Sequence, residues 1–149
     1  MPTEDKGEAG ELLRNKGGEY GSVTGRPRRC GWLDMVALRY SMRLNGCNAI
    51  ALMKPDVLTG MDKIKVCVAY DLNGTKTERF STSFSELAEC RPVFESLPGW
   101  QEDISSCATF ESLPEAAQNY VRYIEERAGA PVKLIGVGPA RNQTINRGL

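Results

Sequence analysis

Three short stretches hold residue types suited to ligand recognition: SVTGRPRR at 22–29, KPD at 54–56 and GVGPAR at 136–141. In KPD, the single carboxylate of Asp56 can accept two parallel hydrogen bonds, and a guanine ring offers an N–H and an NH₂ side by side on one edge. Each charge-assisted bond of this kind is worth about 1.5–3 kcal/mol. Lys54 can lay its methylene stem over the ring face. Adenine lacks the matching N–H and would leave the carboxylate poorly paired. The competing reading is a solvated turn, since Pro55 and Asp56 are common turn residues. In GVGPAR, Gly136 and Gly138 flank Val137 and let backbone N–H groups approach a ligand atom such as a guanine carbonyl oxygen; the alternative is a plain strand exit. In SVTGRPRR, Arg26, Arg28 and Arg29 sit among small residues with unshielded backbone donors. Guanidinium groups so placed suit carboxylates and phosphates, which they grip bidentately. A solvated basic loop and a short nucleic-acid patch are the alternatives.

Catalysis has less to work with. The 149 residues include no histidine, which removes the commonest general base and the commonest zinc ligand. No GxxxxGK[ST] phosphate loop occurs. Lysine plus arginine balances aspartate plus glutamate at 19 each, which argues against nucleic acid or a membrane surface as a partner. No apolar run approaches the roughly 20 residues of a membrane span. The opening MPTEDKGEAGELL is polar and acidic, unlike a signal or transit peptide. Cys30, Cys47, Cys67, Cys90 and Cys107 are odd in number and form no CxxC pair. Reduced thiols in a cytoplasmic protein are expected, with no disulfide framework and no metal site.

The recognition stretches need elements to hold them. Glu8 to Lys16 is helix-compatible and ends at Gly17-Gly18, and residues 20–31 form a Gly-rich loop. Trp32, Val36, Tyr40 and Leu44 then repeat at helical spacing, with Asp34 near the start and Gly46 as the stop. Ala49 to Met53 reads as a short buried strand that ends at Lys54. Ile64 to Tyr70 alternates as a strand and runs into Asn73-Gly74, a strong hairpin signal, with Thr75 to Phe80 returning. Ser83 and Glu86 suggest a capping box for a short helix through Cys90. Pro92 to Leu97 reads as a strand broken at Pro98-Gly99. Pro114 opens a helix to about Ala128 whose buried face carries Ala117, Tyr120, Val121, Ile124 and Ala128, with Gly129 as its end. Its acidic residues read as a solvated face, and Trp32 and Trp100 as packing groups. Val132 to Val137 is a strand leading into Gly138-Pro139. The order predicts an α/β fold: a mixed sheet with flanking helices and a β-hairpin.

The order of the pieces carries more than any one of them. Pro2-Thr3-Glu4, GEYGSVTGRPRRCGWLD at 18–34, VALRY at 36–40, MKPDVLTGMDKIKVCVAY at 53–70, LPGWQEDI at 97–104, NYVRYIEERAGAPV at 119–132 and GVGPARNQTI at 136–145 together resemble adenylosuccinate synthetase over essentially the whole chain. TGRPRRCGW is highly specific. The resemblance implies the C-terminal portion of a P-loop-like GTP-dependent ligase fold, as one domain over 1–149. It implies ligation of L-aspartate to IMP with GTP, through 6-phosphoryl-IMP, giving adenylosuccinate, GDP and phosphate. By position, Ser22, Val23, Thr24, Gly25, Arg26, Pro27 and Arg28 match the aspartate loop. Arg26 also matches an arginine of the IMP site, and Arg28 one that contacts GTP. Lys54, Pro55, Asp56, Gly136, Val137 and Gly138 match guanine-recognition positions.

The chain departs from the family at three places. Pro55 stands where leucine is common, Gly136 where serine or threonine is, and Ala140 where aspartate is. The family's phosphate loop, catalytic aspartate and histidine, and magnesium ligands have no counterpart here, so no catalytic residue is assigned. Mg²⁺ is implied without ligands in this chain, as is a homodimer for full-length members. The expectation is a ligase portion that does not turn over alone; a stand-alone guanine-nucleotide-binding module and a non-functional truncated remnant are the alternatives.

Overall fold

The computed structural model describes residues 1–148. In chain order the elements are α1 (Glu8–Gly17), β1 (Leu33–Asp34), α2 (Met35–Asn45), β2 (Ile50–Met53), β3 (Lys63–Leu72), β4 (Thr75–Thr77), α3 (Phe84–Glu89), β5 (Arg91–Pro98), α4 (Glu115–Ala128), β6 (Val132–Gly136) and β7 (Thr144–Asn146), with 3-10 turns at Pro55–Leu58 and Phe110–Ser112. The fold is mixed α/β with two mixed sheets and flanking helices, as the order of elements predicts. The chain divides into two compact units: Met1–Tyr40 with Lys65–Ser96, and Ser41–Ile64 with Leu97–Leu149. No helix among the described residues is long and apolar enough to cross a membrane.

In the first unit β3 is the central strand: β1 runs parallel to it, β4 antiparallel, and β5 also pairs with it. That position explains why Cys67 and Ala69 are buried along with Val66, Val68 and Tyr70, where simple alternation predicts one covered face. Val36, Cys67, Tyr70 and Cys90 form a core ringed by Leu72, Phe80, Leu87 and Phe94. Burial pushes the Cys67 thiol up to about 12, which keeps it protonated. Asp34 ties two elements together: its Oδ1 accepts from Ala37 N at 3.0 Å, and its Oδ2 from the Tyr70 hydroxyl at 2.6 Å. Burial and that bond hold the Tyr70 phenol well above its usual range.

Pairing of Leu33 and Asp34 with β3 makes them extended, so the helix begins at Met35. Trp32 lies outside it and donates its indole N–H to Asp5 Oδ2 at 3.0 Å. The buried positions of α2 are accordingly Met35, Val36 and Met42, while Leu44 is 64% exposed, against the predicted row. The hairpin forms as its sequence requires, with Asn73 and Gly74 both at positive φ (52° and 83°) and Asp71 Oδ1 accepting from Gly74 N. Its return strand stops at Thr77, whose hydroxyl accepts from Arg79 N and turns the chain. The predicted capping box does not form: Ser83 bonds to the Ser85 hydroxyl, and Glu86 accepts from Ser81.

In the second unit the sheet order is β2-β6-β7, with β2 parallel and β7 antiparallel to β6. An edge position leaves β2 alternately half-buried and exposed, where its apolar run predicts full burial. Helix α4 buries Ala117, Tyr120, Val121 and Ile124 at the predicted spacing, while Ala128, at the helix end, is only half-buried. Each of these larger apolar side chains contributes about 1.5–3 kcal/mol. Pro114 is the N-cap, and Gly129 closes the helix at φ 69°. Glu125 is not part of a solvated face. Its Oε1 accepts from Val132 N at 2.8 Å and from Arg147 Nη1 at 2.6 Å, and the Arg147 guanidinium lies 4.0 Å from the Phe110 ring centroid. Trp100 is buried, donates to Thr59 Oγ1 at 3.1 Å and packs near Tyr120.

Candidate functional site

Parallel pairing of β2 and β6 sends both strands out of the sheet at the same edge, the usual ligand-binding edge of such sheets. Met53 lies opposite Gly136 in register, and Lys54 N donates to Gly136 O at 3.0 Å. The structure thereby brings Lys54, Pro55 and Asp56 beside Gly136, Val137 and Gly138. Lys54 takes the left-handed conformation (φ 63°, ψ 35°). For a non-glycine residue that costs on the order of 1–3 kcal/mol and marks a kink held by its surroundings. Pro55 follows as the buried first residue of the 3-10 turn, where no N–H is needed. Its missing donor, the departure from the family pattern, therefore deprives the turn of nothing. Thr59 N closes the turn by donating to Asp56 O at 3.1 Å.

Asp56 is the chemical centre of this edge. Its Oδ1 is buried and has no hydrogen-bond partner among the described residues. Buried polar atoms are almost always paired, and an unmade bond costs about 1–3 kcal/mol, more for a charged group. Oδ1 is thus a buried acceptor that the described residues leave unsatisfied. Opposite it, Val137 N is taken by Gln143 O at 2.9 Å, so Val137 contributes shape and not a free donor. A Cβ on Gly136 would lie 2.4 Å from Met53 Cε, and one on Gly138 would lie 2.4 Å from Gln143 Oε1. Gly136 thus admits the Met53 side chain of the neighbouring strand, and Gly138 the Gln143 carboxamide.

The arginine loop belongs to the first unit and stands by itself. Tyr20 bridges Pro27, Gly21 N donates to Arg26 O and Gly25 N to Gly21 O, with Gly25 at φ 65°. Ser22 to Arg29 are exposed, Val23 to 95%. The three guanidinium groups are not equivalent. Arg28 pairs with Glu19 at 3.1 Å, and Arg29 donates from Nε to Glu4 at 2.9 Å. The bond from Arg29 holds the Glu4 carboxyl below its usual range. Arg26 has no side-chain partner among the described residues. One cation of the cluster is therefore open to a ligand.

Sequence reasoning missed Gln143, Ser105 and the left-handed Lys54. The first two act through contacts made 38 residues apart, and no local signal marks a lysine at positive φ before proline. Among the described residues no group of three or more His, Cys, Asp or Glu side chains is placed to hold a metal ion.

The adenylosuccinate synthetase family model matches residues 1–145. Adenylosuccinate synthetase of Alkaliphilus metalliredigens is 50% identical over 147 residues, 99% of this chain and 34% of the relative. That of Thermoanaerobacter sp. is 54% identical over 145 residues, again 34% of the relative. The fully ligated adenylosuccinate synthetase from Plasmodium falciparum superposes with a TM-score of 0.94 at 40% identity, over 99% of this chain and 36% of that one. The chain thus spans about a third of the length of the curated relatives it matches. A match over nearly every residue, with the recognition loops in one order, places this chain in the adenylosuccinate synthetase family.

Proposed function

We propose that the chain supplies the recognition side of a ligase that joins L-aspartate to IMP at the expense of GTP, releasing adenylosuccinate, GDP and phosphate. The observation that carries this reading is the buried, partnerless Oδ1 of Asp56 at the shared edge of β2 and β6. A guanine N–H would supply the donor missing at Oδ1 and its NH₂ would reach the second oxygen, with the Lys54 stem over the ring and Gly136, Val137 and Gly138 shaping the far wall. In the first unit, Ser22, Val23, Thr24, Gly25, Arg26, Pro27 and Arg28 receive the aspartate substrate. Arg26, whose guanidinium is open, serves its carboxylate and IMP. Arg28 reaches GTP on exchanging its Glu19 partner.

Residues 1–149 are read as the C-terminal portion of the synthetase domain of a cytoplasmic enzyme, homodimeric when complete. Phosphate loop, general acid and magnesium ligands come from elsewhere, so the chain alone gives no adenylosuccinate. Titration of the purified chain with GTP and with ATP tests the guanine assignment. GTP is preferred, and Asp56→Ala abolishes the preference. Equal binding of both nucleotides by the unmodified chain refutes the assignment. Adenylosuccinate formed by the chain alone refutes the need for a complement.

A further inference from the structure

Gln143 lies outside the three recognition stretches, yet its atoms close the 137–143 turn. Its backbone carbonyl accepts from Val137 N at 2.9 Å, and its backbone N–H donates to Ala140 O at 3.0 Å. In the side chain, Oε1 accepts from Ala140 N at 3.0 Å while Nε2 donates to Ser105 O at 3.1 Å. Only this orientation of the amide sets an acceptor against the N–H and a donor against the carbonyl. The far end of the tether is itself anchored. Ser105 donates from its N–H and hydroxyl to Asp103 at 2.8 and 3.0 Å, and neighbouring Ile104 is fully buried. Gly138 leaves the space the amide needs, since a Cβ there would sit 2.4 to 2.7 Å from the Gln143 carboxamide atoms.

We propose that Gln143 is a positioning residue for the purine subsite: its carboxamide fixes the turn at Gly138 and Ala140 to the loop at Ser105 without touching the base. This role rests on the guanine reading of Asp56. It assigns the shape of the 136–138 wall to a side chain that no ligand contact would reveal.

The test uses the 149-residue chain, with GTP and ATP as probes and amide hydrogen exchange as a ligand-independent readout. Gln143→Leu removes both side-chain bonds. It is expected to speed exchange at Val137 and Ala140 about 10-fold, leave Ile135 and Ile145 unchanged, and lower both GTP affinity and the GTP-over-ATP preference about 10-fold. Gln143→Glu keeps the acceptor for Ala140 and loses the donor to Ser105, so it falls between the two. It carries the test on the same criteria if the leucine variant does not fold. A merely structural residue would lower the folded fraction without moving the nucleotide preference. Unchanged exchange, or faster exchange with unchanged affinity and preference, overturns the proposal. A wild-type chain that does not prefer GTP refutes the underlying reading first, and the positioning role falls with it.

Discussion

The two recognition regions solve opposite problems. At the β2–β6 edge of the second unit, a carboxylate oxygen is buried without a partner, held by a parallel ladder, a left-handed lysine and a buried proline. In the first unit, the 22–29 loop is exposed, and two of its three arginines already pair with Glu19 and Glu4. The first arrangement leaves a cost met during folding, which a ligand of the proposed kind would recover on binding. The second is exchangeable, because exposed ion pairs are worth only about 0–1 kcal/mol and can yield to another anion. On the proposed reading, base selectivity would rest on the buried carboxylate, and adaptable charge on the loop.

The largest expected effect tests the rigid side. Asp56→Asn should weaken GTP binding by roughly 10–100-fold and favour a xanthosine nucleotide, whose 2-oxo group accepts from the amide. Parallel titrations with both nucleotides measure it, and an unchanged GTP preference would dissolve the contrast between the regions. A smaller effect is expected of Gly138→Ala, which displaces the Gln143 carboxamide and should cost about 1–2 kcal/mol in urea unfolding. In a Gln143→Ala background most of that cost should vanish, a coupling that a double-mutant cycle reads directly.

Two further predictions concern the first unit. The N–H of Gly7, with the Trp32 indole and Lys65 adding to it, holds the Asp5 carboxyl below its usual range. Its folded pKa is depressed, so this stabilisation is complete above the ordinary carboxylate pKa and is lost as pH falls through the folded value. Asp5→Asn should therefore lower stability at neutral pH and flatten the acid limb below about pH 4, followed by thermal melting across pH. The smallest effects belong to the loop. Arg28→Ala should change unfolding free energy by less than about 1 kcal/mol, and Arg26→Ala by less than about 0.5 kcal/mol. Urea denaturation of the two variants separates a paired from an unpaired guanidinium, and a larger loss for Arg26 would reveal a partner for it.

Local chemistry made much of this legible in advance. The apolar face of α4, the Asn73-Gly74 turn and the strand end before Lys54 all follow from spacing and residue type, and β6 stops at Gly136, one residue short of the predicted Val137. What escaped depends on partners far along the chain. Trp32 is drawn out of the helix by Asp5 and by pairing of its neighbours with β3. Arg29 is neutralised by Glu4, 25 residues away. β7 is only three residues long and exists because β6 offers it an edge. At the recognition edge the sequence pointed to Asp56, but only burial could show that one of its oxygens lacks a partner.

The parallel ladder has a consequence for how the protein is made. Met53 finds its partner at Gly136, more than eighty residues later. A chain synthesised at about 5–20 residues per second carries KPD unsupported for roughly 4–16 s before β6 has been translated. The shared edge of β2 and β6 therefore cannot form before β6 is made, and contacts so distant in sequence close slowly. Until then Asp56 is solvated and β2 is an unpaired edge, the interval in which a chaperone would have most to protect.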